Sequence, residues 1–312
     1  PTVPSTIGTL ESCLPSLVLL FNKLNFRLFD FYSIQRIKKL PIDAAEWESY
    51  FDESGQILKS QNYVASQILE KGLDLSVRSE AWKFLTGYYP WKSSYDERLT
   101  TDSMRRKTYE SLCNMYTKIE PLLETEHRDF TEVQNFIQYQ QGFHEMLLLF
   151  RLLVEKEHEI YWLFQFFLQK TENSCIINVG VPKNLVILKA LIAFMDPIFA
   201  KHLGQVVSSL FPWFCLFFQR VFKSFEDVWR MWEVFLTGHP CKNFQVIIAY
   251  TMLQMVRDQI LREDLEEDEI LMLCHSIVDL DANDLIARAC NIYELFLKHE
   301  DKVNKEFYNC PM

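Results

Sequence analysis

The stretch Tyr139-Gln140-Gln141-Gly142-Phe143-His144-Glu145-Met146 joins a polar segment, Glu126 to Gln138, to an apolar run that ends at Val154. In that run Phe143, Met146, Leu147, Phe150 and Leu153/Val154 recur at helical spacing, which predicts a helix with one buried face. Gln141 then stands at the mouth of a buried helix, where a carboxamide is held firmly and still reaches solvent. Gly142 beside it lets another backbone or a partner come close. The plain alternative is a helix start with a glycine at a tight junction.

Other chemistry-bearing patterns fail. His144-Glu145 and His158-Glu159 begin like a zinc-protease helix, but no histidine follows four residues after either one. There is no Gly-x-Ser-x-Gly, no phosphate loop and no Gly-x-Gly-x-x-Gly. Asp279-Leu280-Asp281-Ala282-Asn283 imitates a calcium loop, yet Asp284 stands where Gly is needed and Cys290 where Glu is needed. The acidic run Glu263 to Glu269 reads as a solvated loop and helix N-terminus. No self-sufficient active site and no metal site are expected. Arg105, Arg106 and Lys107 fall near the start of a helix predicted over Asp102–Leu123, where cations oppose the macrodipole and need another partner: solvent, nearby acids or an anionic ligand.

The elements that must carry these residues read as helices. With 8 glycines and 11 prolines against 49% hydrophobic residues in 312, tight turns are few, and the alternation of a sheet is hard to find, so the fold is expected to be all-α. Predicted helices cover Lys59–Lys71, with Gly72 as its cap, and a short wedge capped by Ser76 in which Arg78, Trp82 and Leu85 share a side before Gly87. In that wedge Arg78 is expected to snorkel. Further helices follow over Glu159–Gln169, Asn184–Met195, Phe225–Leu236 (opened by Ser224-x-x-Asp227), Phe244–Ile260 and from Asp281 onward. The apolar segment Val206–Phe222 contains Leu210-Phe211-Pro212-Trp213-Phe214. Residues 1–40 read as a tail, 41–298 as the domain with a seam between two helical subdomains near 197–205, and 299–312 as a C-terminal tail.

A net charge of −10 disfavours phosphate backbones, so nucleic acid is not expected as a partner. Eight scattered cysteines without a Cys-x-x-Cys pair read as reduced core residues in the cytoplasm. No apolar stretch is long enough to span a bilayer, and Leu14–Phe21 lacks the basic flank of a secretory signal.

Four features in this order resemble a known family: Arg78…Trp82…Leu85-x-Gly87, Tyr139-x-Gln141-Gly142, Pro212-Trp213-Phe214, and Trp229-Arg230-Met231-Trp232-Glu233. Together they are similar to the TBC domain of Rab GTPase-activating proteins, across residues 41 to 298. The resemblance implies an all-helical domain that inserts two side chains into the nucleotide site of a Rab-family small GTPase. Gln141 would be the glutamine finger that orients the attacking water, with Tyr139 and Gly142 in its motif. Arg78, Trp82, Trp213, Arg230 and Trp232 would be structural. The protein would need no cofactor of its own, acting on GTP and Mg²⁺ held by the partner, and would meet membranes only through the prenylated Rab.

The chain departs from the family pattern between Trp82 and Tyr139, where an Ile-x-x-Asp-x-x-Arg motif supplies the arginine finger. A block is expected to be missing around residues 124–138. Leu99-x-x-Asp102-x-x-Arg105 is a near match, 36 residues before Gln141, which makes Arg105 a candidate finger. The function expected is therefore a Rab GTPase activator of weakened catalysis. The alternative is a non-catalytic TBC scaffold or an effector-like Rab-binding protein.

Overall fold

The computed structural model describes residues 39–126, 142–172 and 180–308, with side chains described over 39–118, 142–172 and 180–299. Tyr139 and Gln141, the tail before residue 39 and most of the expected deletion point lie outside the described residues. Along the described chain run α1 (Ala44–Glu48), α2 (Gln61–Lys71), α3 (Leu75–Thr86), α4 (Tyr95–Glu126), α5 (Phe143–Leu153) and α6 (Glu157–Lys170). They are followed by α7 (Val181–Met195), α8 (Pro197–Leu203), α9 (Val206–Ser209), α10 (Phe211–Cys215), α11 (Phe225–Thr237), α12 (Phe244–Glu263), α13 (Glu267–His275) and α14 (Ala282–Tyr308). Among the described residues only three isolated bridges interrupt the helices, so the all-α expectation holds.

Local chemistry explains most boundaries. Ser60 caps α2 by accepting from the Tyr63 N–H at 3.2 Å, and Gly72 closes it at φ +77°. The cap of α3 is Asp74, not Ser76: its carboxylate takes both the Ser76 N–H and the Ser76 hydroxyl. Helix α4 starts at Tyr95, seven residues before the expected Asp102. Ser94 and Glu97 form its capping box, with the Ser94 N–H donating to Glu97 at 2.7 Å. Arg105–Lys107 therefore lie inside a helix and do not oppose a macrodipole, and Asp96 and Glu97 occupy the first turn. Ser224 caps α11 as expected, but the Asp227 carboxylate accepts from the Ser224 hydroxyl and from the Ala282 N–H. The segment Val206–Phe222 is broken into α9, α10 and a 3-10 turn. Helix α14 runs on to Tyr308, through residues expected to be tail.

The centre of the core is aromatic. Trp82 of α3, Phe150 of α5, Phe167 of α6 and Trp232 of α11 meet with ring centroids 4.9–6.4 Å apart. Helix α11 packs on α2, α3 and α14 at once. It is therefore buried nearly all round, Arg230 and Glu233 included. Arg78 does not snorkel. Its Nε donates to the fully buried Glu233 at 2.6 Å and its Nη2 to the Leu73 carbonyl. The stretch 197–205, where the seam was expected, holds α8, which Asp196 caps while pairing with Arg257 of α12. Buried side chains on both sides of it belong to one continuous cluster.

Candidate functional site

Helix α5 begins with Gly142 at φ +103°, a conformation that L side chains rarely adopt. A Cβ at this position would stand 2.3 Å from Leu216 Cδ2, so Leu216 closes over the glycine and fixes the entry of the chain into α5. The close approach is made by a side chain of the segment after α10, not by the backbone or partner expected from the sequence. Below the neck Phe143, Met146, Leu149 and Phe150 are buried. Leu147, expected inside, is exposed and Leu149 takes its place. Phe143 stacks edge-on against Phe164 at 5.5 Å and Phe150 against Trp82 and Trp232, tying the neck to the aromatic core.

Three polar residues meet on the first turn of α5. Glu145 accepts from Arg220 at Nε (3.1 Å) and Nη2 (2.5 Å) and from the Gln219 amide (3.0 Å). The Arg220 guanidinium holds the Glu145 carboxyl below its usual range and stays mostly exposed, at 64%. This cluster was not anticipated, because Arg220 lies 75 residues from Glu145 in an apolar stretch without period.

Arg105 sits in a different environment. Its guanidinium lies over the rings of Phe166, Tyr88 and Trp162, at 4.5, 4.7 and 5.6 Å. Nη2 donates to the Tyr88 carbonyl at 2.9 Å, and the Trp162 indole donates to the Arg105 carbonyl at 3.0 Å. Burial among these rings pulls its pKa down, and its Nε is buried without a partner. A guanidinium gripped on three sides is a clamp between α4 and α6. The extended reach that a finger needs is not the geometry it has.

The remaining described motif residues pack into the core. Trp232 donates to the Phe217 carbonyl at 2.8 Å, and Trp213 is buried beside Phe218. Arg230 reaches the Leu69 carbonyl and Asn283, with its side chain pressed on Gly72. Among the described residues no group of histidines, cysteines or acids could hold a metal ion. No described helix is long and apolar enough to cross a membrane.

Comparison with known proteins fits this architecture. The chain is 53% identical to TBC1 domain family member 21 of Homo sapiens over 313 residues, covering 87% of this chain and 93% of that protein. The chain belongs to the Rab-GTPase-TBC domain family. The family's own pattern matches residues 130–261 of this TBC protein. The Mus musculus member 21 is 53% identical over 86% of the chain and 92% of its own length. Among solved structures, the Ypt/Rab-GAP domain of Gyp1p shares the fold with a TM-score of 0.60 at 18% identity, covering 81% of this chain and 98% of that one. In this TBC chain the stretch Pro212–Phe218 does two jobs: it builds the aromatic core and delivers Leu216 to the neck.

Proposed function

We propose that this TBC chain is a GTPase-activating module for a Rab-family small GTPase, with Gln141 as the glutamine finger and with stimulation weakened by the loss of the motif arginine. The neck at Gly142 carries the reading. Gly142, locked at positive φ and pinned by Leu216, fixes the start of a buried helix immediately after Gln141 in the chain, and a side chain that enters a crowded nucleotide site requires such a rigid mount. The substrate is GTP with Mg²⁺ on the partner, and the chain brings no cofactor.

Two observations support a missing arginine block. The alignment to the human relative runs over 313 residues but takes in 87% of this chain's 312, so on the order of 40 positions of that relative have no counterpart here. Arg105 is also committed to its aromatic clamp. An arginine finger supplies about 10³–10⁵ in rate, and a chain without one keeps only what water positioning gives. Arg220, exposed and held by Glu145 on the first turn after the neck, is the cation we assign to meeting the partner's negative charge.

A second reading follows from the Arg105 clamp: a scaffold that binds Rab without turning it over. Single-turnover GTP hydrolysis across a Rab panel separates the two. Stimulation that disappears in Gln141→Ala supports the activator, and nucleotide-dependent binding without stimulation supports the scaffold. Stimulation that survives Gln141→Ala overturns the glutamine mechanism. The protein would work in the cytoplasm and reach vesicles through the prenylated Rab. Glu80–Gly87 and Trp162–Lys170 are worded like the male germ cell member of the family, which points to the testis and the acrosome region.

A further inference from the structure

Away from the neck, the C-terminal ends of α6 and α11 and the starts of α7 and α12 surround a cavity of about 220 Å³. It shares no lining residue with the Gly142–Leu216 contact or the Glu145–Arg220 pair. Three lysines line it: Lys170 at the end of α6, Lys183 in the first turn of α7, and Lys242 just before α12. One carboxylate, Glu172, is shared between Lys183 and Lys242. Lys170 donates only to the Leu85 carbonyl, and burial lowers its pKa. The cavity therefore carries a positive surplus in a chain whose net charge is −10.

Two helix starts add partial positive charge, set against the C-terminal ends of α6 and α11 that also border the cavity. Helices α7 and α12 are 15 and 20 residues long, neither has an acidic residue in its first turn, and neither N-terminus receives a side-chain cap. Their free N–H groups carry partial positive charge, and lysine at such a position is disfavoured unless an anion meets it. The first turns also present two carboxamides to the cavity, Asn184 and Gln245, which are 6% and 9% exposed. Among the described residues neither side chain has a hydrogen-bond partner, although buried amides are ordinarily satisfied. Two largely buried amides without a protein partner thus line a cationic cavity, where a ligand can take their hydrogen bonds.

We infer that this cavity binds a small phosphate-bearing anion, held by Lys183, Lys242 and Lys170 with Asn184 and Gln245 as hydrogen-bond donors. The size narrows the ligand. Ordinary small-molecule pockets run about 300–1,000 Å³, so this one suits one or two phosphate groups and not a whole nucleotide. Such a group could be a free phosphate ester or belong to a lipid headgroup.

The test is calorimetric titration of the full chain with pyrophosphate, beside flotation with phosphatidylcholine vesicles that do or do not contain phosphatidic acid. Saturable one-to-one binding of pyrophosphate is expected, weakened at least tenfold in Asn184→Leu. Lys183→Glu and Lys242→Glu change exposed side chains outside the core, and each should weaken binding by a similar factor while the melting temperature without ligand is kept. Vesicle binding that requires phosphatidic acid and is lost in Lys183→Glu would assign the phosphate to a lipid. Pyrophosphate binding without vesicle binding would assign it to a soluble ligand. No binding by the unmodified chain, or equal binding by the Lys183→Glu variant, overturns the inference.

Discussion

Arg105 lies in the largely exposed helix α4 and Arg220 in the 3-10 turn after α10, and their surroundings differ. Arg105 is clamped by Tyr88, Trp162 and Phe166, while Arg220 has one carboxylate partner and open solvent. Arg105→Ala should lower stability by about 1–3 kcal/mol, through lost ring contacts and a buried partner left unmet, with activity per folded molecule unchanged. Thermal melts beside hydrolysis rates check this, and a rate that falls without loss of stability would return Arg105 to the finger role. His158 makes a pH prediction. It is buried with Nε2 unpartnered, and burial lowers its pKa below the ordinary value of 6.5. The folded state thus resists the proton that the unfolded chain accepts, so its contribution is complete above pH 6.5 and is lost as pH falls below it. Melting temperatures from pH 7.5 to 5.5 should fall less steeply for His158→Gln. Residue types alone could not sort these cases. The histidine was visible only as half of a failed zinc pattern, and Arg105 only as the third member of a near-match. What decides each is a set of rings or a cavity assembled from distant parts of the chain.

At the scale of elements, helices with one apolar face were legible because period and caps agree, as in α2 with Ser60 and Gly72. The start of α4 was missed although Ser94-x-x-Glu97 is a capping-box signature, because no apolar period follows it. Helix α11 was legible in extent, but its burial on nearly every side was not. Its Arg230 and Glu233 look solvent-facing in a helical projection, and they are buried because α2, α3 and α14 close over them. Arg78, 155 residues away in the chain, supplies the countercharge for Glu233, which no local pattern encodes. The Gly142 neck is the element-scale device on which the proposed function rests. Gly142→Ala should cost about 1–3 kcal/mol for the backbone conformation alone and push Leu216 aside. Adding Leu216→Ala should recover the steric part and leave the conformational part. A Gly142→Ala chain with unchanged melting and unchanged hydrolysis would mean that the neck positions nothing.

The described residues form one continuous core reached from both halves of the chain, and the chain shares its fold with the Ypt/Rab-GAP domain of Gyp1p. All-helical architecture was readable from composition and period. The closure of the first half was not, since the packing of α4 on α6 joins segments that no local pattern links. Helix α4 packs on α6 with its near half and leaves Met115 and Tyr116 about half exposed further along. Restoring a family-length block between α4 and the neck should therefore sharpen the thermal transition by covering such surface. Equal, sharp melts for both chains would show that nothing is missing from the packing. The central claim is that a glutamine mounted on the Gly142 neck drives Rab-bound GTP hydrolysis without a motif arginine. Single-turnover hydrolysis over a Rab panel, with the chain as it stands and with Gln141→Ala, tests it most directly. Weak stimulation of at least one Rab, abolished by Gln141→Ala and unaffected per folded molecule by Arg105→Ala, is the predicted result. Stimulation that persists without Gln141 would contradict it.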